Sequence, residues 1–415
     1  MTNRPYIIGV DVASQKADVH VHGPEDEELG HFVMKATNSH MRQTLSRLQS
    51  LVDKRNTVVV LEATAIYHRI YYYAFVNCGF EVVVVNPYQS HAFQSGLSLR
   101  KTRTDKVSAH TLAVLYRTVR NLPPTKGDTY LELRKLVRAY YRLMDEQSDY
   151  RRRILTVLAE LFPLLAQRFK NLFSLTGLAI LRHFPTPQAI LEANPKDLFY
   201  FIRKVSRQRP EWAIQKLDQL LSIARESPSV PVAVGANIQL LHLYLDCLEH
   251  SKRQADRLRA QLEAMAQRCR PAKLLLTIPG IGTILATTIV AEIENIENFK
   301  KPAHLAAFAG IDPTVKESGN FKGTRNHMSK RGSKLLRRAL YLATVAAIRR
   351  DKRTGLSKNP YLREYYDKKV RQGKPKKVAL GACMQKTLCY VFTTLKHDRP
   401  FRLIDPQQAA WRKAA

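Results

Sequence analysis

YIIGVDVASQKADVHVHGPEDEELGHFVMK, residues 6–35, is the stretch that decides the fold. Residues 6–12, 17–22 and 29–35 are short and rich in apolar and β-branched side chains, and an acidic turn at 24–28 separates the second from the third. Short apolar or alternating runs that are bounded by turn-forming residues are typical of β-strands. The chain is therefore predicted to begin with a three-stranded meander.

Helices and strands alternate after the meander. An apolar stripe of Met41, Leu45, Leu48 and Val52 predicts a helix over 38–53, which Asn38 or Ser39 is expected to cap. The next predicted elements are a strand at 57–62 (TVVVLE), a helix at 65–77, a strand at 81–85 (EVVVV) and a helix from about 105 to 120.

The two later strands are apolar on both faces, which implies a sheet covered by helices on both sides. A meander followed by strand–helix units is the ribonuclease-H-like (RuvC-like) order. Pro123, Pro124 and Gly127 are expected to close this domain, which spans 1–127. The fold class of this part is therefore predicted to be α/β.

The rest of the chain is predicted to be helical. Residues 128–270 are expected to form a helical and coiled-coil region, in which a long helix over 236–268 places four apolar residues seven apart: Leu241, Leu248, Ala255 and Leu262. Residues 271–400 are expected to form an all-helical C-terminal domain, followed by a tail at 401–415. The predicted helices of the C-terminal domain lie near 282–294, 302–309, 333–350 and 376–396, with a turn-rich loop at 312–332.

The charge of the chain is strongly positive and unevenly distributed. Its 415 residues carry 67 Lys and Arg against 35 Asp and Glu, a net charge of +32. Residues 300–415 hold 28 basic and 7 acidic side chains, a net +21, whereas residues 1–130 hold 15 and 11, a net +4. An excess of this size implies a polyanionic partner, and its concentration predicts a nucleic-acid-binding face in the C-terminal domain.

The sequence argues against a membrane protein and against a disulfide-stabilised protein. The five cysteines are widely spaced with no C-x-x-C pair, which argues against a zinc site or a disulfide framework built from them. The uncharged stretch at 274–291 is interrupted by Pro279, Gly280 and Gly282, so we expect a buried helix entered through a tight turn. A cytoplasmic protein without a membrane partner is the expectation.

Three carboxylates are placed where a metal site could form. Asp11 ends the first strand, Glu62 ends the fourth, and Asp105 opens a helix. The first and fourth strands are neighbours in a ribonuclease-H-like sheet, and clustered carboxylates favour Mg²⁺ or Mn²⁺. Such ions can hold both oxygens of a phosphodiester displacement. The alternative is that each acid is an ordinary strand-end or helix-capping residue.

The N-terminal half resembles a known family. GVDVASQK (9–16), LEATAIYH (61–68) and KTRTDKVSAHTLA (101–113) are similar in order and spacing to the DEDD insertion-sequence transposases, described as bridge-RNA-guided (seekRNA) serine recombinases. The resemblance implies Asp11, Glu62 and Asp105 as catalytic metal ligands. The family's fourth acid is replaced here by Ser108, which can hold a metal-bound water but supplies no charge, so a two-metal site is in doubt. Nearby His110 is a weak substitute.

The resemblance continues in the C-terminal part, through IPGIGTILATTIVAEI (278–293), HLAAFAGIDP (304–313), ESGNFKG (317–323) and HMSKRGSKLLRRALYLA (327–343). It implies Ser318 as the nucleophile, although a Ser-Gly pair taken alone is more often a turn. The nucleic-acid-binding residues expected around both sites are Lys101, Arg103, Lys316, Lys322, Arg325, Lys330, Arg331, Lys334, Arg337 and Arg338. Ser329 and Ser333 are interpreted as helix-start or phosphate-contact residues.

Two further features have open interpretations. Pro279-Gly280-Ile281-Gly282 is either a phosphate-binding helix–hairpin–helix turn or a tight turn between core helices. The tyrosines at 67, 71, 72, 73, 140 and 141 could stack on unpaired RNA bases, but packing is favoured for most of them.

The function implied by the resemblance is an RNA-guided DNA recombinase that excises and inserts an insertion sequence. Its expected cofactors are Mg²⁺ or Mn²⁺ and a structured guide non-coding RNA, and its partners are donor and target DNA. A homo-oligomer is implied, at least a dimer and a tetramer on DNA, with the 236–268 helix as a bridge between subunits. The alternatives are a RuvC-like metal-dependent junction resolvase or nuclease in which Ser318 is idle, and a non-catalytic nucleic-acid-binding protein.

Overall fold

The computed structural model describes residues 5–64, 66–97, 105–119, 122, 130–228, 231–314, 317–318, 321–322 and 327–403. The chain divides into two compact units, Met1–Asp128 and Thr129–Ala415. Lys101, Arg103, Lys316 and Arg325, together with most of the 401–415 tail, lie outside the described residues.

The first unit is built on a five-stranded sheet. Its strands are β1 (Tyr6–Val12), β2 (Lys16–His22), β3 (Glu28–Lys35), β4 (Thr57–Glu62) and β5 (Glu81–Val85), in the spatial order β3-β2-β1-β4-β5. β1, β2 and β3 pair antiparallel, whereas β1–β4 and β4–β5 pair parallel. The predicted meander, its later strands and the adjacency of the first and fourth strands are confirmed.

Helices cover both faces of this sheet. α1 (Asn38–Leu51) and α2 (His68–Asn77) pack on the face that carries Ile8 and Val10, and α4 (Asp105–Thr118) packs on the face that carries Ile7 and Val60. The stripe of α1 is buried as predicted, but its N-cap is Thr37 and makes no side-chain capping bond, so the Asn38 or Ser39 cap was wrong. α3 (Pro87–Leu97) was not predicted.

The second unit begins with two long helices. α5 (Leu131–Leu161) packs against α11 (Val234–Arg268), and between them in sequence lie α6 (Pro163–Arg168), α7 (Leu175–His183), α8 (Pro187–Glu192), α9 (Pro195–Ser206) and α10 (Pro210–Glu226). The predicted seam of α11 is buried. Ser251 on that side donates to the carbonyl of Leu143 in α5 at 3.1 Å. Since the seam is occupied within the chain, it is not available as a bridge between subunits.

The remaining elements form the C-terminal helical part. They are α12 (Arg270–Leu275), α13 (Thr283–Ile293), α14 (Pro302–Ala309), a hairpin of β6 (Glu317–Ser318) and β7 (Phe321–Lys322), α15 (Lys334–Ile348), α16 (Pro360–Arg371) and α17 (Lys376–Lys396). The four predicted helices are confirmed, and α16 was not predicted. Gly280 has φ +98°, and a Cβ there would lie 2.4 Å from the carbonyl oxygen of Ala343. This close contact supports the tight-turn interpretation of 279–282, and α13 is a buried helix as expected.

Among the described residues, α17 alone is long and apolar enough to span a membrane by length and composition. Core helices meet the same criterion. α17 buries Cys383, Leu388 and Val391 against other helices of its unit, as a core helix does.

Candidate active site

Asp11 and Glu62 lie side by side at one edge of the sheet. Val10 of β1 pairs with Leu61 of β4 in parallel register, so the next residue on each strand is an acid. Both acids are on the face that α4 covers, because Ile7 and Val60 of the same alternation contact Leu112. Neighbouring strands are about 4.8 Å apart. The predicted meeting of these two carboxylates at one sheet edge is therefore what the backbone register gives.

Ser90 orients the carboxylate of Glu62. The buried Ser90 hydroxyl donates to Glu62 Oε2 at 2.8 Å and also contacts the carbonyl of Pro87 at 3.0 Å. Ser90 is on α3, the helix that the sequence pattern did not reveal. Within the part of the chain that the structure describes, the other oxygen of Glu62 has no hydrogen-bond partner, and Glu62 itself is half-buried.

α4 brings its first turn to the same edge. A Cβ at Gly9 would lie 2.0 Å from the carbonyl oxygen of Ala109, so only glycine permits this contact. Near the other end of α4, Arg117 donates to the carbonyl of Pro24 at 3.0 Å, beside the start of β1, so the helix runs antiparallel to β1.

Asp105 is therefore placed close to Asp11 along the strand direction. From the Gly9–Ala109 contact, Asp105 lies about 6 Å along the helix, and Asp11 lies about 7 Å along the strand in the same direction. The side chain of Asp105 is outside the described residues, and Ser108 in the same turn is half-buried.

Asp18 is an acid of this edge that the sequence reasoning missed. It pairs with Asp11 across β1 and β2 and therefore projects from the same face. It is buried, and its oxygens contact Lys16 Nζ at 3.1 Å and His31 Nε2 at 3.2 Å. The pairing register that reveals it is not readable from sequence, although the alternation of ADVHVH places Asp18 on the polar face.

His110 is not part of the acidic edge. Its Nδ1 lies 3.1 Å from Nε2 of His22, which is the cross-strand partner of Ile7. Ile7 precedes Asp11 by four residues, about 13 Å along the strand. The interpretation of His110 as a substitute for the missing fourth acid is therefore not supported by its position.

Ser318 lies in the short β6–β7 hairpin, where its backbone pairs with Phe321. A bridge between Pro313 and Met328, and a hydrogen bond from Thr314 N to the carbonyl of His327 at 2.7 Å, hold the base of this loop together. The side chains of Ser318 and Lys322 lie outside the described residues.

The basic residues after the hairpin fall into two groups. Lys330, Arg331 and Lys334 are exposed. By contrast, Arg337 donates to the carbonyl of Ala309 at 2.9 Å, and Arg338 donates to Asp145 at 2.8 Å. The exposed group is therefore better placed for phosphate contacts than the partnered pair.

Ser333 is a helix-start residue, one of the two roles expected for it. Its Oγ accepts from the amide of Leu336 at 3.1 Å and its hydroxyl donates to the buried Glu292 at 2.6 Å. Glu292 also accepts from Arg138 Nε at 3.1 Å. This network fixes the start of α15 beside the basic residues.

Some of the tyrosines singled out in the sequence are packed in the core and others are exposed, in line with the expectation that most of them pack. Tyr71, Tyr72 and Tyr141 are buried, whereas Tyr67 and Tyr73 are about two-fifths exposed, with 39% and 42% of their surface accessible. Burial raises the pKa of Tyr141. Only the exposed pair could contribute base stacking from the surface of α2 and its N-terminus.

Comparison with known proteins identifies both halves. Residues 272–367 match the family model described as "Transposase IS116/IS110/IS902 family", and residues 8–163 match a model described as "Transposase", of the DEDD type of IS110. The first match includes Ser318, and the second includes Asp11, Glu62 and Asp105.

Individual relatives agree with these models. The chain is 25% identical over 319 residues to the "Insertion element IS110 uncharacterized 43.6 kDa protein" of Streptomyces coelicolor, covering 74% of this chain and 75% of that protein. It is 29% identical over 130 residues to the "Pilin gene-inverting protein" of Moraxella bovis, covering 31% and 38%.

Among solved structures, RuvC of T. thermophilus in complex with a Holliday junction substrate aligns with 29% of this chain and 99% of that one, at 15% identity and a TM-score of 0.23. The two family models together cover more than half of the 415 residues, and the chain belongs to the IS116/IS110/IS902 family of DEDD transposases.

Proposed function

We propose that this transposase is an RNA-guided DNA recombinase that excises and inserts an insertion sequence, using an acidic metal site and the nucleophile Ser318. The observation that carries the proposal is the acidic edge: Asp11 and Glu62 are adjacent on parallel strands, with the first turn of α4 directed to the same edge. Such an arrangement is costly for a protein that does not neutralise it, because like charges at this spacing repel.

The residues of the edge fit a hard divalent cation. Asp11, Glu62 and Asp105 would hold Mg²⁺ or Mn²⁺ through oxygen atoms, with Ser108 near a bound water. Such an ion supplies charge neutralisation at the scissile phosphate. Asp18 adds a carboxylate beside Asp11, but one of its oxygens is ion-paired with Lys16 and the other contacts a ring nitrogen of His31, so it only partly compensates for Ser108. Ser90 would keep the Glu62 carboxylate oriented toward the metal ion.

Ser318 is assigned the covalent step. Its hydroxyl oxygen would attack the phosphorus, the P–O bond of the strand would break, and the proton lost by the serine would balance the one gained by the leaving oxygen. The reverse attack by a strand of the partner duplex would release the serine without hydrolysis or a high-energy cofactor. The relatives named for pilin gene inversion fit this proposal, since inversion exchanges strands without loss of DNA.

A subunit arrangement follows from the same assignment. We propose that the acidic edge of one subunit acts with Ser318 of another, as the family resemblance implies, so that the active form is at least a dimer on donor and target DNA. The partner surface is not the α11 seam, since that seam packs against α5. The guide RNA is proposed to bind the basic surface and the exposed tyrosines.

A water-using metal nuclease remains the second candidate, because the acidic edge lies wholly within the first unit and needs no serine to hold a metal. A non-catalytic role rests on Ser108 alone.

A reconstituted recombination assay tests the main proposal and the missing acid together. Cognate donor and target DNA, the structured RNA encoded beside the gene and Mg²⁺ are combined with the wild type or with Ser108→Asp. We expect recombination that disappears when the RNA is omitted, and a faster reaction with Ser108→Asp because a further charge strengthens metal binding. If neither protein recombines the DNA, the enzyme proposal fails. RNA-independent strand cleavage would instead favour the nuclease.

The exposed basic residues are expected to dominate the salt dependence of DNA binding. Changing Lys330, Arg331 and Lys334 to Gln should reduce the slope of log K against log salt by up to about 3, because each phosphate contact contributes about 0.9. The matched control changes Arg42, Arg47 and Lys54, which are exposed in the nearly neutral first unit. Fluorescence anisotropy at several salt concentrations measures both slopes, and equal losses in the two variants would contradict the assignment.

A further inference from the structure

Three histidines converge on the face of the sheet beneath α4, away from the acidic edge. His20 and His22 are two residues apart on β2, so they lie on the same face of the sheet, and both are buried. His110 lies on α4 and is exposed. His22 Nε2 lies 3.2 Å from Nδ1 of His20 and 3.1 Å from Nδ1 of His110. One ligating nitrogen from each of the three rings lies within 4.8 Å of the other two.

The ring nitrogens of the cluster face one another. His20 Nε2 lies 3.0 Å from Glu28 Oε1, a contact that favours the Nε2–H tautomer and leaves Nδ1 as an acceptor. His22 Nε2 carries at most one hydrogen, so in the neutral cluster it cannot donate to His20 and to His110 together. A divalent cation placed between the three nitrogens would accept a lone pair from each ring.

His22 is the central ring of the cluster and is buried. The pKa of His22 is lowered to about 4, mainly by burial and then by the neighbouring His110, His20 and Arg117, against an opposing effect of Asp26. Arg117 itself is ion-paired with Asp26 at 2.8 Å, which reduces its repulsion of a metal ion. Neutral imidazole is the form that coordinates transition metals.

We propose that His20, His22 and His110 bind one zinc-class divalent ion, with water in the fourth position. Nitrogens that coordinate tetrahedral Zn²⁺ at 2.0–2.1 Å are about 3.3 Å apart, close to the two measured separations of 3.1 and 3.2 Å. Glu28 holds the far nitrogen of His20, as the carboxylate does in a carboxylate–histidine–zinc arrangement. His110, at the surface, leaves a route for the ion to enter.

The ion would fasten β2 to α4. Only the His110 side chain joins α4 to this cluster, whereas His20 and His22 belong to the sheet. Since the first turn of α4 carries Asp105 toward the acidic edge, the site would fix the position of that turn. It is distinct from the acidic edge, because it uses nitrogen ligands, and Zn²⁺ prefers these more than Mg²⁺ does.

Metal binding to the full-length, tag-free protein tests the proposal in the absence of DNA. After dialysis against a chelator, Zn²⁺ is titrated by calorimetry with Mg²⁺ in excess, and Co²⁺ is added separately to record its visible spectrum. We expect one Zn²⁺ per chain and the intense absorption of tetrahedral Co²⁺. His110→Ala should weaken Zn²⁺ binding by at least about 100-fold, and Glu28→Gln by about 10–100-fold.

Two controls locate the ion. His91→Ala removes an exposed histidine of α3 in the same unit and should bind Zn²⁺ as the wild type does. Glu62→Gln, which alters the acidic edge, should also retain the site. Equal Zn²⁺ affinity in wild type and His110→Ala, loss of the ion in Glu62→Gln, or no stoichiometric binding would each overturn the proposal. Circular dichroism confirms that the variants fold.

Discussion

Glu62→Gln is expected to reduce DNA strand cleavage and recombination by at least about 10²-fold, the usual cost of removing one charge-stabilising group from a transition state. The amide retains the size of the side chain and an oxygen that can accept from Ser90, which lies 2.8 Å from Oε2 in the native protein. The change therefore removes the charge while preserving the shape of the edge. Rates with cognate DNA, measured over a range of Mg²⁺ concentrations, should show a loss that added Mg²⁺ only partly restores.

Glu81→Gln is the matched control for this variant. Glu81 is exposed at the first position of β5, where it pairs with Val58 at the opposite end of the same sheet. It should recombine DNA at the wild-type rate. The result that would contradict the metal site is a Glu62→Gln protein whose rate and Mg²⁺ dependence match those of the wild type.

The melting temperatures of Glu62→Gln and the wild type show whether the Glu62 carboxylate serves function or folding. Glu62 lies beside Asp11, so in the absence of metal the native protein carries a repulsion that Glu62→Gln relieves. The melting temperature of the variant in chelator should therefore be equal to or higher than that of the wild type, as expected where a functional site is held at the expense of stability. A lower value would mean that the carboxylate is structural.

The fold was predictable where local pattern and packing agree. Continuous apolar runs such as 57–62 and 81–85 gave the buried strands, because in a covered sheet both faces are apolar. α3 was missed because PYQSHAFQSGL has a weak apolar stripe, and α16 because PYLREYYDKKVR buries only Leu362 fully. Helices of this kind are stabilised by contacts that no local pattern shows.

The candidate site was predictable only for residues near the ends of regular elements. Asp11 is the last but one residue of β1 and Glu62 the last of β4, so the topology alone places them at one edge. The position of Asp18 at this edge depends on the register of β1 with β2, and that of Ser90 depends on the packing of α3. Neither feature can be read from the local sequence. The histidine cluster joins β2 to a helix 88 residues away in sequence, although the spacing of His20 and His22 on one strand face was a usable signal.

Ser318→Ala is expected to abolish recombination and strand cleavage together, because it removes the hydroxyl that is proposed to form the covalent bond to DNA. DNA binding should persist, since the exposed Lys330, Arg331 and Lys334 are unchanged. The intermediate offers a direct readout: wild-type protein stopped with denaturant should carry DNA covalently, and Ser318→Ala should not. Ser148→Ala, which removes an exposed hydroxyl on α5, is the matched control and should behave as the wild type does.

Ser318→Ala and Glu62→Gln together also decide between the candidate chemistries. A water-using nuclease built on Asp11 and Glu62 would continue to cleave in Ser318→Ala with Mg²⁺ present, and its products would end in free phosphate groups rather than in protein-linked DNA. Loss of cleavage in both Ser318→Ala and Glu62→Gln, with DNA binding retained in each, is the result expected if the acidic edge and the hairpin act on the same phosphate. Since each variant removes one half of the chemistry, mixing the two proteins should restore part of the activity if the halves come from different subunits, and none if each subunit works alone.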